Sequence, residues 1–193
     1  MKKRLIGQPG RGKGCYKHVF IANGHIVLKN VPTAAKFTFL IAGFGVLAAC
    51  AAGADPRLRG YVTVFETGIG GIHLVQELMR GYDAVLLFDA CDRGATPGTL
   101  FLLAPDLPDV AGFTDRERRD FFADIHYATP VRALTLAREV GALPSLVRIV
   151  AAQIAEADTF GTEMSPAMHD AIMPAVDMAF EVIVALERRE AAE

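Results

Sequence analysis

Apolar and polar positions change period several times along this chain, and the changes delimit its elements. Residues 61–66 and 84–88 are short apolar runs of strand length, and residues 71–80 between them have helical spacing. Strand, glycine turn, helix and strand make one βαβ unit, which builds parallel sheets and brings functional groups to strand C-termini. Upstream, residues 37–43 (FTFLIAG) read as a buried strand, and residues 44–53 (FGVLAACAAG) as an alanine-rich apolar helix broken by Asp55-Pro56. Downstream, Thr96-Pro97-Gly98 makes a turn. Residues 99–104 follow as a strand reached too quickly for a crossover helix, hence antiparallel. The charged run TDRERRDFF is a helix with Thr114 or Asp115 as N-cap. Thr129-Pro130 opens a helix to about Val140, which Gly141 stops. Residues 145–152 form another apolar strand, and Ser165-Pro166 caps one long helix to about Glu187. Nearer the start, Asn23-Gly24 lies between two β-rich runs, and both positions of such a turn need positive φ. Residues 16–22 and 25–31 are therefore expected to pair as a hairpin ended by Pro32.

Charge separates the first 36 residues from the rest. They hold eight Lys or Arg and no acid, leaving 12 basic against 22 acidic residues, a net -10, in residues 37–193. Two parts follow: a basic, Gly-rich arm with a hairpin over 1–36, and an α/β domain over 37–193. The arm has no aromatic interleaving for base stacking, so a nucleic-acid partner is not expected. Within it, Gly7, Gly12 and Lys13 fit the phosphate-loop pattern, but Gly14 stands where Ser or Thr would hold magnesium, and no strand precedes it.

Residues 37–54 run for 18 positions without a charge, the lower limit for a membrane span. Leu47-Ala48-Ala49-Cys50 also has the form of a lipoprotein cleavage box. A signal sequence has only a short basic region before its apolar run, whereas 36 residues precede this one. The reading adopted is a cytoplasmic chain without a membrane partner. Its three cysteines, Cys15, Cys50 and Cys91, fit neither a zinc knuckle nor a disulfide framework.

Two residues lead the candidate chemistry. Asp89, at a strand C-terminus, can bind a metal, act as a base, or cap the next turn. His126 stands just before a helix in DIHYATP, and neutral imidazole is the commonest metal ligand. Glu66, ending the preceding strand, belongs to the same rim, and carboxylates with a histidine suit a borderline divalent cation such as zinc or nickel. His73, one turn into the helix after the GIGG loop, reads as structural, and His169 as exposed. The turn from Gly68 to Gly71 lacks the dinucleotide fingerprint; its glycines allow a tight turn or a close backbone approach. No G-x-S-x-G elbow or H-E-x-x-H pair occurs.

Taken in order, these segments resemble the hydrogenase maturation proteases, endopeptidases that trim the C-terminal tail of the nickel-iron hydrogenase large subunit. The resemblance rests on the FETGIGG turn, the helix and strand LVQELMRGYDAVLLFDA, the strand PGTLFLL, a histidine before a helix, GALPSLVRIVAAQI, and GTEMSPAMHDAIMPAVDMAFEVI. It covers about residues 37–187. It implies a three-layer α/β fold: a twisted, mostly parallel five-stranded sheet with one antiparallel strand and helices on both faces. It also implies a nickel site in which an acid from the first loop, the aspartate of the "DA" pair and a histidine bind metal. Asp89 matches that aspartate and His126 the histidine, as both catalytic and metal-binding residues. Glu66, Gly68, Gly70 and Gly71 match the substrate cleft. The nickel is presented by the large-subunit precursor, which is the implied partner of a monomeric enzyme.

One departure stands out. Family members follow the first strand with a glycine-asparagine turn and an acidic loop, whereas here IAG runs directly into FGVLAAC, with no acid between Phe37 and Ala54. The loop carrying the first metal ligand is read as deleted by about ten residues, leaving a connection shorter than usual. Losing one of three ligands weakens metal binding, since affinity follows ligand count and geometry. Glu66 and Asp55 are the acids available to replace it.

Overall fold

The computed structural model describes residues 19–23, 39–67, 71–123, 129–155, 164–190 and 192. Among the described residues, five strands form one sheet: β1 (Val19–Asn23), β2 (Val62–Glu66), β3 (Ala84–Cys91), β4 (Leu100–Leu103) and β5 (Leu146–Gln153). Their order across the sheet is β2-β1-β3-β5-β4. The first four in that order are parallel, and β4 runs antiparallel to β5, as the short approach to it predicts.

Two corrections concern the N-terminal third. The first strand is Val19–Asn23, not residues 37–43. It pairs with β2 on one side and β3 on the other, so both of its hydrogen-bonding edges are occupied in parallel ladders. That leaves no edge for the expected hairpin; its second arm, residues 25–31, lies outside the described residues. The boundary placed after residue 36 moves with it, because β1 lies inside the sheet of the α/β domain. Residues 39–43 instead open helix α1 (Phe39–Ala54), sixteen residues and about 24 Å long. A short apolar run does not distinguish a buried strand from a buried helix by period. Here the parallel β1–β2 pairing decides, because it needs a helical crossover.

Helices cover both faces. On one, α1 lies against β1, β2 and β3 and also touches α6 (Ile172–Glu190). Contact on two sides explains why its sequence is apolar almost all round. Phe44, Ala48 and Ala52 of α1 and Ala175, Ala179 and Ile183 of α6 are buried there with Leu86 and Phe88 of β3. On the other face, α2 (Gly71–Leu78) packs on α4 (Pro130–Glu139). Leu78 and Leu134 meet Val85, Leu87 and Ile149 in that layer. The alternation along β3, with even residues on one face and odd residues on the other, is the period of two of a strand buried on both sides. Cys50 lies within α1, so the lipoprotein-like box is part of a helix packed on the sheet. No helix among the described residues is long and apolar enough to cross a membrane.

Local chemistry sets several helix ends. Thr114 is the N-cap of α3 (Asp115–Ala123): its Oγ1 accepts from the Glu117 N–H at 3.3 Å, and Glu117 Oε2 accepts from the Thr114 N–H at 2.7 Å. This is a capping box. Gly141 ends the α4 turn at φ 71. The long C-terminal helix is in fact two, α5 (Pro166–Asp170) and α6, parted at Ala171. Pro174 explains the break, because a proline ring clashes with the carbonyl four residues back, here that of Asp170.

Candidate active site

The strand order places a topological switch point between β1 and β3. From β1 the chain crosses through α1 to β2, whereas β3 leads to the other half of the sheet. Open α/β sheets bind ligands in the crevice outside the strand C-termini at such a point. Asn23 ends β1 there, in register with Glu66 of β2 on one side and Phe88 of β3 on the other. β3 then continues for three residues beside β5, pairing Asp89 with Ala151, Ala90 with Ala152 and Cys91 with Gln153. Burial along β3 relaxes at Asp89, after five fully buried residues.

Asp89, the carboxylate that sequence reasoning singled out, stands at this edge. Asp89 Oδ1 accepts from the Ala90 N–H at 2.8 Å, which orients the group. Glu66 shares the sheet edge but lies two strands away, level with Phe88, so it and Asp89 are about 10 Å apart at the backbone. Cys91 is half-buried; burial pushes its thiol up, the guanidinium of Arg93 opposes that, and Asp89 and Asp92 add to it. It is a poor thiolate, in keeping with a packing role.

His126 lies outside the described residues. It comes three residues before Thr129, the N-cap of α4. Because α4 leads back to the start of the parallel strand β5, its N-terminus sits at the same sheet edge as Asp89. Gly68 and Gly70 are also outside the described residues, and Gly71 is the first residue of α2. The two described flanks of this segment are tied together: His73 Nδ1–H donates to the carbonyl of buried Thr67 at 3.2 Å. That is the structural role read for His73, and His169 is exposed as expected.

Asp55 does not replace the missing ligand. It follows α1 at the opposite sheet edge, where Arg57 Nε and Nη2 grip its carboxylate at 2.9 and 2.8 Å. The Arg57 hydrogen bonds hold its pKa down to about 2. The first-loop ligand is not lost by shortening either. With β1 ending at Asn23 and α1 starting at Phe39, the connection is residues 24–38, of ordinary length or more, and it contains no Asp or Glu. Among the described residues, no three His, Cys, Asp or Glu side chains group as a metal cage.

Sequence reasoning missed Gln153. It ends β5 and is 3% exposed. Its Oε1 accepts from the N–H groups of Arg93 and Ala95 at 2.7 and 3.3 Å, and its Nε2 donates to Asp92 Oδ1 and the Ile154 carbonyl, both at 3.0 Å. The available signal was a lone amide closing a strand, LVRIVAAQ, that is apolar apart from Arg148.

Comparison with known proteins agrees with this arrangement. The family model for hydrogenase maturation protease matches residues 50–182. The hydrogenase expression/formation protein HupD of Thiocapsa roseopersicina is 30% identical over 152 residues, covering 77% of this chain and 66% of that protein. HupD of Bradyrhizobium diazoefficiens is 28% identical, covering 77% and 76%. The chain thus spans about two thirds to three quarters of the length of these relatives. Among solved structures, the hydrogenase maturating endopeptidase HybD from E. coli has a TM-score of 0.57 at 20% identity, covering 89% of this chain and 93% of that one. The hydrogenase 2 maturation peptidase of a Thaumarchaeota archaeon has 0.54 at 21%, covering 86% and 98%. At these identities the structures speak for the fold, and the family match over 50–182 speaks for descent: this chain belongs to the hydrogenase maturation protease family.

Proposed function

We propose that this chain is the endopeptidase that removes the C-terminal tail of a nickel-iron hydrogenase large-subunit precursor after nickel insertion. It acts as a cytoplasmic monomer on a protein substrate that brings its own nickel. The observation that carries this reading is the position of Asp89, the "DA" aspartate, at the switch-point crevice of a chain matched by the family model.

In this reading Asp89 and His126 are the catalytic and metal-contacting residues. A carboxylate and an imidazole suit a borderline divalent cation. The nickel in this reading is carried in by the precursor and ligated mainly by it. The Ala90 N–H holds the Asp89 carboxylate so that its charge faces one direction without reorganisation. Glu66, Gly68, Gly70 and Gly71 form the cleft wall. Glycines there let a substrate backbone approach closely, and the His73–Thr67 bond ties the residues on either side of them.

A second reading has its own observation. The connection 24–38 has no acid, so the oxygen ligand that the family takes from its first loop is absent. A chain so altered binds the precursor without cutting it.

The test is cleavage of the nickel-loaded precursor, followed by intact mass. Loss of the tail with this chain, and none with Asp89→Asn, supports the endopeptidase. An uncut precursor that still co-elutes with the chain supports the binding-only relative. Neither cutting nor binding, where an authentic maturation protease cuts the same sample, sinks both.

A further inference from the structure

Building on the endopeptidase reading, we propose that Gln153 is a positioning residue that fixes the Asp89 end of β3 and the wall of the crevice beside it. The connection from β3 to β4 cannot be a hairpin, because β5 lies between them. Residues 92–99 must pass over the C-terminal end of β5, and the residue at that end is Gln153.

A carboxamide offers two acceptor lone pairs and two N–H donors. All four are used here, on Asp92, Arg93 and Ala95 of the connection and on Ile154. The main chain of Gln153 adds two more bonds: its N–H donates to the Thr99 carbonyl and its carbonyl accepts from the Gly98 N–H, both at 2.9 Å. The connection is thus held at its start by the side chain and at its end by the backbone. It is also held from above. Gly98, at φ +82, lies so close to α5 that a Cβ there would sit 2.6 Å from the Ala167 carbonyl oxygen.

This clamp begins one residue past Cys91, which pairs with Gln153, and three past Asp89. Among the described residues, β1 reaches only to the level of Phe88. Register with β5 sets where the Asp89 backbone stands, and Gln153 ties the last step of that register. A displacement of about 1 Å in a reacting group can cost about a hundredfold in rate.

Among the described residues, the charged and titratable groups at this end of β3 and β5 are Asp92 and Arg93 of the connection and Asp89 and Cys91 of β3; α5 meets the connection through the Ala167 backbone. Two variants separate positioning from mere support. Gln153→Met keeps the length and removes every side-chain hydrogen bond. Gln153→Glu keeps the acceptor for Arg93 and Ala95; protonated it donates to Asp92, and ionised it repels it.

With the full chain and nickel-loaded precursor, Gln153→Met is expected to lose about tenfold to a hundredfold in kcat with KM changed less than about threefold. Gln153→Glu is expected to match the parent at low pH and to lose activity as its carboxyl ionises, adding an alkaline limb that the parent lacks. Should Gln153→Met not fold, the Gln153→Glu profile decides alone. Folded variants with the parent's kcat and pH profile overturn the proposal. If the parent binds the precursor but does not cut it, the endopeptidase reading falls. Affinity then decides: a tenfold loss in Gln153→Met upholds positioning, and unchanged affinity overturns it. A parent that neither binds nor cuts overturns both.

Discussion

Asn23 and Phe88 are paired across β1 and β3, so Asp89 is the first residue of β3 to clear the end of its neighbour. One residue of register separates a side chain inside a five-stranded sheet from one at the mouth of a crevice. The relation also explains why burial falls away there, and why a carboxylate can stand at the end of a strand that is otherwise wholly apolar.

Replacing Asp89 by Asn tests that carboxylate with little change in shape. The amide oxygen can still accept from the Ala90 N–H, so stability is expected to stay within about 1 kcal/mol of the parent. Cleavage of the precursor is expected to fall by about a hundredfold or more, the scale of a positioned acid, base or ligand. Thermal unfolding beside the mass assay separates the two effects, and an Asp89→Asn chain that cuts at the parental rate removes Asp89 from the chemistry.

From Tyr61 onward most of the fold was legible, because each element carries its own signal. Thr114 and Glu117 form a capping box, Gly141 supplies the left-handed stop, and the approach to Leu100 is too short for a crossover. Asp89 was legible for the same reason, as an acid ending a buried run. The beginning of the chain was misread where local signals competed. Asn23-Gly24 looks like a hairpin turn, but the strand before it is claimed on both edges by partners 43 and 65 positions away in sequence. FTFLIAG has strand composition, but its C-terminal part opens a helix dictated by the parallel pair it must connect. Gln153 was invisible because its meaning lies in partners some 60 residues upstream.

The core of the sheet should respond as a close-packed layer. Phe88 of β3 and Phe44 of α1 are 1% and 0% exposed in the same cluster. Phe88→Ala or Phe44→Ala is expected to cost about 3–5 kcal/mol, a large share of a domain's usual stability. Urea unfolding reads this as a lower midpoint at an unchanged slope. A loss below about 1 kcal/mol at Phe44 would mean that α1 is not packed as described.

Acid stability should carry the mark of Asp55. Its pKa is lowered from the ordinary 3.8 to about 2, chiefly by the Arg57 side-chain hydrogen bonds. A carboxylate with a depressed folded-state pKa stabilises the fold above its unfolded value and loses that contribution as pH falls through the folded one. The contribution is therefore whole above about pH 4 and disappears toward pH 2. Asp55→Asn is expected to flatten the stability curve in that window, with Asp92 and Glu117, both also lowered, leaving a residual slope. Unfolding midpoints from pH 5 to pH 2 measure it; identical curves for parent and variant would detach Asp55 from acid unfolding.

The decisive question for activity is the acid that the first connection lacks. Residues 24–38 join the end of β1 to the start of α1, both at the switch-point edge, and they carry Lys29, Lys36 and His25 but no carboxylate. A hard oxygen donor adds both charge and a ligand to a divalent metal site, and affinity follows ligand count. Single Asp substitutions scanned through 24–38 are expected to raise cleavage of the nickel-loaded precursor at one or two positions by about tenfold or more, and to leave the others unchanged. The gain should vanish when Asp89→Asn is combined with it, because the two carboxylates would serve one metal. A gain that survives Asp89→Asn would place the added acid in a different role. A flat scan over a parent that already cuts would show that the precursor's own ligands and Asp89 suffice, and that the missing loop acid is dispensable in this chain.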